Sequence, residues 1–296
     1  MSRTLCAVWK GVIGLLSMSV VAPVFAASVP RADHVVVVIM ENHSAAEIYG
    51  SASATYINTL TTAGAKFSSA FGVAHPSQPN YIAMFSGSTQ GVIDDSCPQT
   101  FTTGNLAQQL IAAGLSFVQY SEGLPATGDT SCTSGLYARK HNAAADFPAL
   151  PATASQPFSN FATALANSTL PTVSFVAPNL CNDMHGAGSC SGADLIALGD
   201  QWLQANIAPF LSSPLAARSV LIISWDEDDS SGLNQVPLIF YGAHVKPGYV
   251  STTITNHYNL LRTLEDMYAL PALGSAAISA PITDVWDDVI FKDGFE

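Results

Sequence analysis

The chain runs to 296 residues, 48% of them hydrophobic and only 11% charged, with 22 acidic against 10 basic side chains and a net charge of −12. Disorder is excluded because it needs low hydrophobicity with dense charge, and a nucleic-acid-binding arm is excluded because an acidic chain repels a phosphate backbone. A small anion held through a bound cation stays open, since a dication dominates its local field whatever the net charge outside.

The first segment, residues 1–26, reads as a cleaved export signal. Arg3 and Lys10 precede an apolar run from Gly11 to Ala22, and Val24-Phe25-Ala26-Ala27 offers small residues where a signal peptidase needs them. The run is shorter than the roughly 20 apolar residues of a membrane anchor, and no later stretch is long enough. The expectation is a secreted or periplasmic protein with no stable membrane anchor. Removal of that segment leaves 270 residues, a net charge of −14 and four cysteines, Cys97, Cys132, Cys181 and Cys190. An even count in an exported chain favours two disulfides. Three connectivities are open, and sequence proximity alone favours Cys97 with Cys132 and Cys181 with Cys190.

The unbroken apolar run His34 to Met40 has the character of a parallel strand covered on both faces. Similar runs recur at Ser116 to Tyr120, Thr172 to Val176, Ser219 to Trp225 and Val236 to Tyr241. Helical spacing lies between them, over Tyr56 to Ala65, Asn80 to Phe85, Asn105 to Ala113, Asp194 to Phe210 and Tyr258 to Tyr268. This alternation predicts an α/β fold: a single domain over residues 27–289, with a mostly parallel sheet and helices on both faces. The stretch Leu124 to Ala154 reads as a long surface excursion over the active edge, and residues 290–296 form a tail of unassigned role. Ligands of such sheets sit outside the carboxyl ends of the strands.

Five polar segments fall at those ends. Glu41-Asn42-His43-Ser44 follows the first strand and suits a hard divalent cation, although an Asx turn capping a helix has the same residues. Ser77, in His75-Pro76-Ser77-Gln78-Pro79-Asn80, stands just before a helix, as a phosphate nucleophile or as an ordinary N-cap. Asp183 and His185 sit two apart in the loop after Thr172 to Val176. Asp226-Glu227-Asp228-Asp229 puts four carboxylates in a row, costly without a cation or solvent between them. His257 opens the last helix, where a packed or capping histidine is the alternative. Arg139-Lys140-His141 is the densest basic cluster, suited to a second charged group on a substrate or to a solvated loop.

Taken in order, the motifs Val-Val-Val-Val-Ile-Met-Glu-Asn-His-Ser, His-Pro-Ser-Gln-Pro-Asn-Tyr, Tyr-Ala-Arg-Lys-His-Asn, Asn-Asp-Met-His, Trp-Asp-Glu-Asp-Asp and Asn-His-Tyr-Asn-Leu-Leu-Arg resemble the secreted bacterial acid phosphatase and phosphoesterase family, related to phospholipase C enzymes of the alkaline phosphatase superfamily. The resemblance runs from about His34 to Trp286. It implies Glu41, Asn42, Ser77, Asp226 and Glu227 as metal ligands, with Ser77 also the nucleophile. It implies His185 and His257 as phosphate or proton-handling residues and His75 and Asn80, with Asp183, as substrate contacts; Arg139 and Lys140 join the expected substrate contacts from the basic cluster alone. The oxygen-rich set favours one hard dication over two zinc ions. The expected activity is hydrolysis of phosphate monoesters, on small organic phosphates or phosphoinositide headgroups, through a phosphoserine. A phosphodiesterase of the phospholipase C type and an exported binding protein without catalysis are the competing readings. Serine esterase and thermolysin-like chemistry lack their Gly-x-Ser-x-Gly and His-Glu-x-x-His signatures.

Overall fold

The computed structural model describes Met1 and residues 29–287. Apart from Met1, the expected export signal lies outside the described residues, as does the 290–296 tail. Twelve strands are described: β1 (His34–Met40), β2 (Ala65–Phe67), β3 (Ala70–Phe71), β4 (Phe117–Ser121), β5 (Thr133–Ser134), β6 (Tyr137–Ala138), β7 (Ser155–Pro157), β8 (Val173–Ala177), β9 (Ser219–Trp225), β10 (Leu238–Gly242), β11 (Tyr249–Ser251) and β12 (Thr255–Asn256). The α-helices are α1 (Ala45–Ile48), α2 (Thr55–Ala63), α3 (Ser77–Ser86), α4 (Leu106–Ala112), α5 (Ser159–Ala166), α6 (Leu195–Asn206), α7 (Ala208–Leu211) and α8 (His257–Met267).

Eight strands make the central sheet, in the order β11-β2-β10-β9-β1-β8-β4-β7. Val35 to Val38 of β1 are fully buried, which explains why that strand carries no polar alternation. It pairs in parallel with β9 on one side and β8 on the other, and Met40 faces Trp225 across the β1–β9 ladder. Only β10 runs against its neighbours. The sequence run at Val236 to Tyr241 is therefore a strand, but a returning one. Only residues 226–237 connect it to β9 and they contain no helix, whereas a parallel return needs a full crossover.

Helices cover both faces, with α2 packed on α6 and β10 in one layer and α3 packed on α8 and α4 in the other. The expected single helix over Asp194 to Phe210 is two, α6 and α7. Pro209 has no N–H to return to the preceding turn, so the ladder breaks before it. α3 begins at Ser77, three residues earlier than the apolar spacing indicates. Pro79 is accommodated in its first turn, where an N–H would have no intrahelical acceptor.

The excursion 124–154 is only partly superficial. It contains the β5–β6 hairpin and buries Arg139, His141, Asn142 and Asp146. Disulfides join Cys97 to Cys132, at its start, and Cys181 to Cys190, in the loop after β8. No helix among the described residues is long and apolar enough to cross a membrane.

α3 ends at Gly87 in the left-handed conformation, φ 73°, and a Cβ there would lie 2.2 Å from the Leu273 carbonyl oxygen. Gly87→Ala is expected to cost more than the roughly 1–2 kcal/mol of a left-handed non-glycine residue. The check is thermal melting: an unchanged midpoint would mean that the chain around Leu273 yields without penalty.

Candidate active site

The register of the central strands brings the acidic residues together. Because Met40 and Trp225 are ladder partners, the next residues, Glu41 and Asp226, leave adjacent strands side by side, and Asp226 N donates to the Met40 carbonyl at 3.0 Å. Asn42 takes the left-handed conformation, φ 49°, which asparagine tolerates better than most side chains. The loop after β8 is pinned to the same edge by Glu41 N donating to the Asp183 carbonyl at 2.8 Å.

Ser77 arrives at the start of α3. Its hydroxyl donates to Glu41 Oε2 at 2.9 Å, with Glu227 Oε1 at 3.1 Å. The Asn42 amide lies 2.9 Å from Glu41 Oε2 and 3.2 Å from Glu227 Oε1, so it either donates its N–H2 to them or presents its oxygen to a cation shared with them. Tyr81, one turn along α3, donates to Glu41 Oε1 at 2.6 Å and stacks on His141 with ring centroids 4.9 Å apart. His141 Nε2 is 3.0 Å from Glu41 Oε1 and its Nδ1 is 3.2 Å from Asp183 Oδ2. Lys140 Nζ stands 3.5 Å from Ser77 Oγ, 2.7 Å from Asp95 Oδ2 and 3.2 Å from His185 Nε2. His75 Nδ1 contacts Glu227, and its Nε2 is 3.3 Å from Asp228 Oδ1.

Of the residues read from the sequence, Glu41, Asn42, Ser77, Asp226, Glu227, His75, Asp183, His185 and Lys140 converge on one edge. Three take other places. Arg139 turns away into the excursion, where Nε meets Asp146 at 3.0 Å and its other nitrogens reach the carbonyls of Thr130, Gln99 and Ala145. His257, expected to handle phosphate or protons, is buried under the acidic loop with Nε2 on the Asp226 carbonyl at 2.6 Å, which ties it to that loop. Asn80 accepts from Val73 N and Ala74 N at 2.9 and 3.1 Å and donates back to the Ala74 carbonyl, which shapes the turn before Ser77 from beneath.

Tyr81 and Asp95 lie outside the expected set, and His141 enters it only as a member of the basic cluster, with no contact to the carboxylates foreseen. Tyr81 carried a signal, because a residue four after Ser77 shares its helical face. Neither His141 nor Asp95 has a comparable periodic mark.

Burial dominates the electrostatics. It pushes Glu41 up to about 7 against the pull of Lys140, and raises Asp183 and Asp226 well above the carboxylate range, Glu41's charge adding to both. Glu227 is raised by burial and partly relieved by His75. Burial lowers His141 well below its ordinary value, lowers His185, and brings His257 to about 4. At Lys140 burial opposes the charge, yet Glu41 and Asp95 outweigh it and the ammonium is held above its usual value.

Two triads share Glu41, namely Glu41-His141-Asp183 and Glu41-Asp226-Glu227, with ligand atoms within 4.8 Å of one another. Asp226 Oδ2 is buried without a hydrogen-bond partner, and His141 Nε2 and Asp183 Oδ2, although close to Glu41 and to the His141 ring, make no hydrogen bond of good geometry. Unsatisfied buried atoms of this kind beside carboxylates are what a divalent cation relieves, and oxygen donors with one imidazole fit it.

A family model described as the Phosphoesterase family matches residues 51–271, more than half of the chain. The chain belongs to the phosphoesterase family. It is 43% identical over 300 residues to a phosphatidylinositol-3-phosphatase of Mycobacterium tuberculosis, with 97% of this chain and 98% of that protein covered. It is 27% identical to an acid phosphatase of Aspergillus fumigatus over 76% of this chain, and spans only 53% of that longer protein. Among solved structures, a Vibrio parahaemolyticus protein of the alkaline phosphatase superfamily superposes with a TM-score of 0.59 at 13% identity, covering 84% of this chain and 69% of that one. A Pseudoalteromonas sulfatase superposes with a TM-score of 0.60 at 10% identity, covering 87% and 72%. The last two likenesses show the fold. This phosphoesterase is a phosphoric ester hydrolase with a buried acidic and histidine group able to bind a metal ion.

The raised carboxylates fix a sign for stability. Glu41 titrates at about 7 folded and near 4.5 unfolded, so between those values the native state keeps a proton that the unfolded chain has lost. Stability of the metal-free phosphoesterase then falls as pH rises from about 4.5 to about 7. Glu41→Gln should flatten that slope. Added divalent cation should raise the melting midpoint more at pH 7 than at pH 4.5, since ligands must be deprotonated. Differential scanning fluorimetry with and without chelator reads both effects; no cation-dependent midpoint at neutral pH would remove the metal reading.

Proposed function

We propose that this protein is an exported, metal-dependent phosphatase of the acid type that removes phosphate from monoesters, phosphoinositide headgroups among them, through a phosphoserine on Ser77. The observation that carries the reading is the Ser77 hydroxyl, 2.9 and 3.1 Å from two buried carboxylates, with the Lys140 ammonium 3.5 Å away on the same oxygen. The 43%-identical phosphatidylinositol-3-phosphatase and the fungal acid phosphatases support the substrate class, and the two disulfides support an oxidising compartment.

Glu41, Asn42, Ser77, Asp226 and Glu227 would hold the cation, with His141 and Asp183 contributing on the far side of Glu41. A bound dication supplies charge neutralisation at phosphoryl oxygens and an acidified serine hydroxyl. Ser77 Oγ attacks phosphorus in line, and Glu41 or Glu227, already its acceptors, takes the proton. Lys140 faces the phosphoryl oxygens. His185 keeps Nδ1 on the Gly186 carbonyl at 2.9 Å and meets the Lys140 ammonium with Nε2 at 3.2 Å; once that ammonium turns to the phosphoryl oxygens, Nε2 would protonate the departing alcohol and then deprotonate the water that hydrolyses the phosphoserine. Burial lowers its affinity for a proton, so the acid form accumulates toward lower pH, in the direction of an acid optimum.

Ser77→Ala should lower kcat on p-nitrophenyl phosphate by at least about 10³-fold, as loss of a nucleophile does. Acid quenching of the native enzyme during turnover should leave phosphate on Ser77, detected by peptide mass spectrometry. Ordinary turnover by the variant would end the covalent route, and faster cleavage of bis-p-nitrophenyl phosphate than of the monoester would move the reading to a diesterase.

A further inference from the structure

Asp95 has no part in the reaction as described above, yet it joins two of its elements. It lies in the connection between α3 and α4. Its Oδ1 accepts from Gln78 N at 2.9 Å, directly after Ser77, while its Oδ2 is 2.7 Å from Lys140 Nζ. Lys140 comes from the excursion, a separate part of the chain, and its ammonium touches both Ser77 Oγ and His185 Nε2. One carboxylate therefore fixes the distance between the start of the nucleophile helix and the phosphate-facing cation.

The surrounding chain is sewn together at the same place. Cys97, two residues after Asp95, is bonded to Cys132, where the excursion turns toward Lys140. Arg139 N donates to the Cys132 carbonyl at 2.9 Å, Arg139 Nη2 to the Gln99 carbonyl at 3.0 Å, and Phe101 N to the Asp146 carbonyl at 2.8 Å. This arrangement is also the account of Arg139: its side chain braces the loop that presents Lys140.

The need for such a device follows from charge. A flexible ammonium beside Glu41, Asp226 and Glu227 is drawn onto those carboxylates, where it would occupy the place of a cation and leave the phosphoryl side of Ser77 bare. Asp95 offers a competing carboxylate, 2.7 Å from the ammonium and anchored to Gln78 N. We propose that Asp95 is a positioning residue that holds Lys140 beside Ser77 and off the acidic cluster, with the Cys97–Cys132 disulfide locking the two loops that carry the pair. This deepens the reading of Lys140 as a phosphate contact and rests on it.

Asp95→Asn isolates the effect, since an amide oxygen still accepts from Gln78 N while the acceptor for Lys140 is gone. Expected are a roughly tenfold rise in KM for p-nitrophenyl phosphate and in the inhibition constant of inorganic phosphate, with a smaller change in kcat. Lys140→Met should raise both constants at least as much, and the double variant should match Lys140→Met alone, because Asp95 acts only through Lys140. Calorimetric titration of the metal-free protein with Mn2+ supplies a readout independent of turnover: Asp95→Asn should weaken the ion severalfold, and Lys140→Met added to it should restore the affinity. Independent, multiplying effects in the double variant, or unchanged phosphate inhibition in Asp95→Asn, would overturn the proposal. If Asp95→Asn fails to fold, the Cys97→Ser/Cys132→Ser pair asks the same question, with a loss of phosphate affinity expected in the native background and none beside Lys140→Met. Loss of the phosphoserine route itself would show in Ser77→Ala, whereas this cycle is read on phosphate and ion binding.

Discussion

The packing of Glu41 against Asp226 and Glu227 at the end of two paired parallel strands is the constraint around which the site is organised. Neighbouring strands lie about 4.8 Å apart, so residues one step past a Met40–Trp225 pair cannot avoid each other. Glu41 and Asp226 are fully buried, and removing like charges from water this close is costly unless protons, donors or a cation intervene. The chain supplies donors for part of the cluster: Tyr81 and Ser77 on Glu41, His75 on Glu227, and Asn42 N, 3.4 Å from Asp226 Oδ1. Asp226 Oδ2 is left without one. A fold that keeps an unrelieved acceptor fully buried holds it there at a cost to stability, which is the usual relation between a site and its scaffold.

Much of the fold was legible because the central strands bury both faces, and their sequence shows it as unbroken Val/Ile/Phe runs. β9 matches its expected limits, and β4 and β8 differ by one residue at each end. What escaped was decided by partners far away in the chain. β2, β3, β7, β11 and β12 have two or three residues each, too few for any period to register, and the direction of β10 depends on the length of the loop before it.

The candidate site divides in the same way. Residues at the ends of long strands were found because position alone marks them. The basic cluster was not resolved, because Arg139–His141 forms a turn of 3-10 helix in which successive side chains point about 120° apart. Three consecutive basic residues thus reach three destinations: Arg139 goes to Asp146, Lys140 to Ser77 and Asp95, and His141 to Glu41 and Asp183. The acidic run splits likewise. Asp226 and Glu227 turn into the cluster, Asp228 accepts from Ser230 N and Asn234 N, and Asp229 is exposed and bonded to Ser231. Which members of a charged run serve chemistry is a matter of backbone geometry, and composition carries no trace of it.

The net charge of −12 raises the question of how an anionic ester approaches such a surface. Exposed charges are screened over about 8–10 Å at ordinary ionic strength, so the global excess weakens long-range encounter far more than it alters binding inside the pocket. Within the pocket the sign is set by few groups. Lys140 is 15% exposed at the side chain and lies against Ser77, and each carboxylate that carries a proton or faces a cation ceases to repel a phosphate beside it. Mild acidity and a bound dication are therefore alternative ways of removing the same negative charge from the same cluster, since ligand carboxylates must shed their protons before a cation can bind them. Proton and cation therefore compete for these buried acids, and whichever is bound removes the charge that would attract the other.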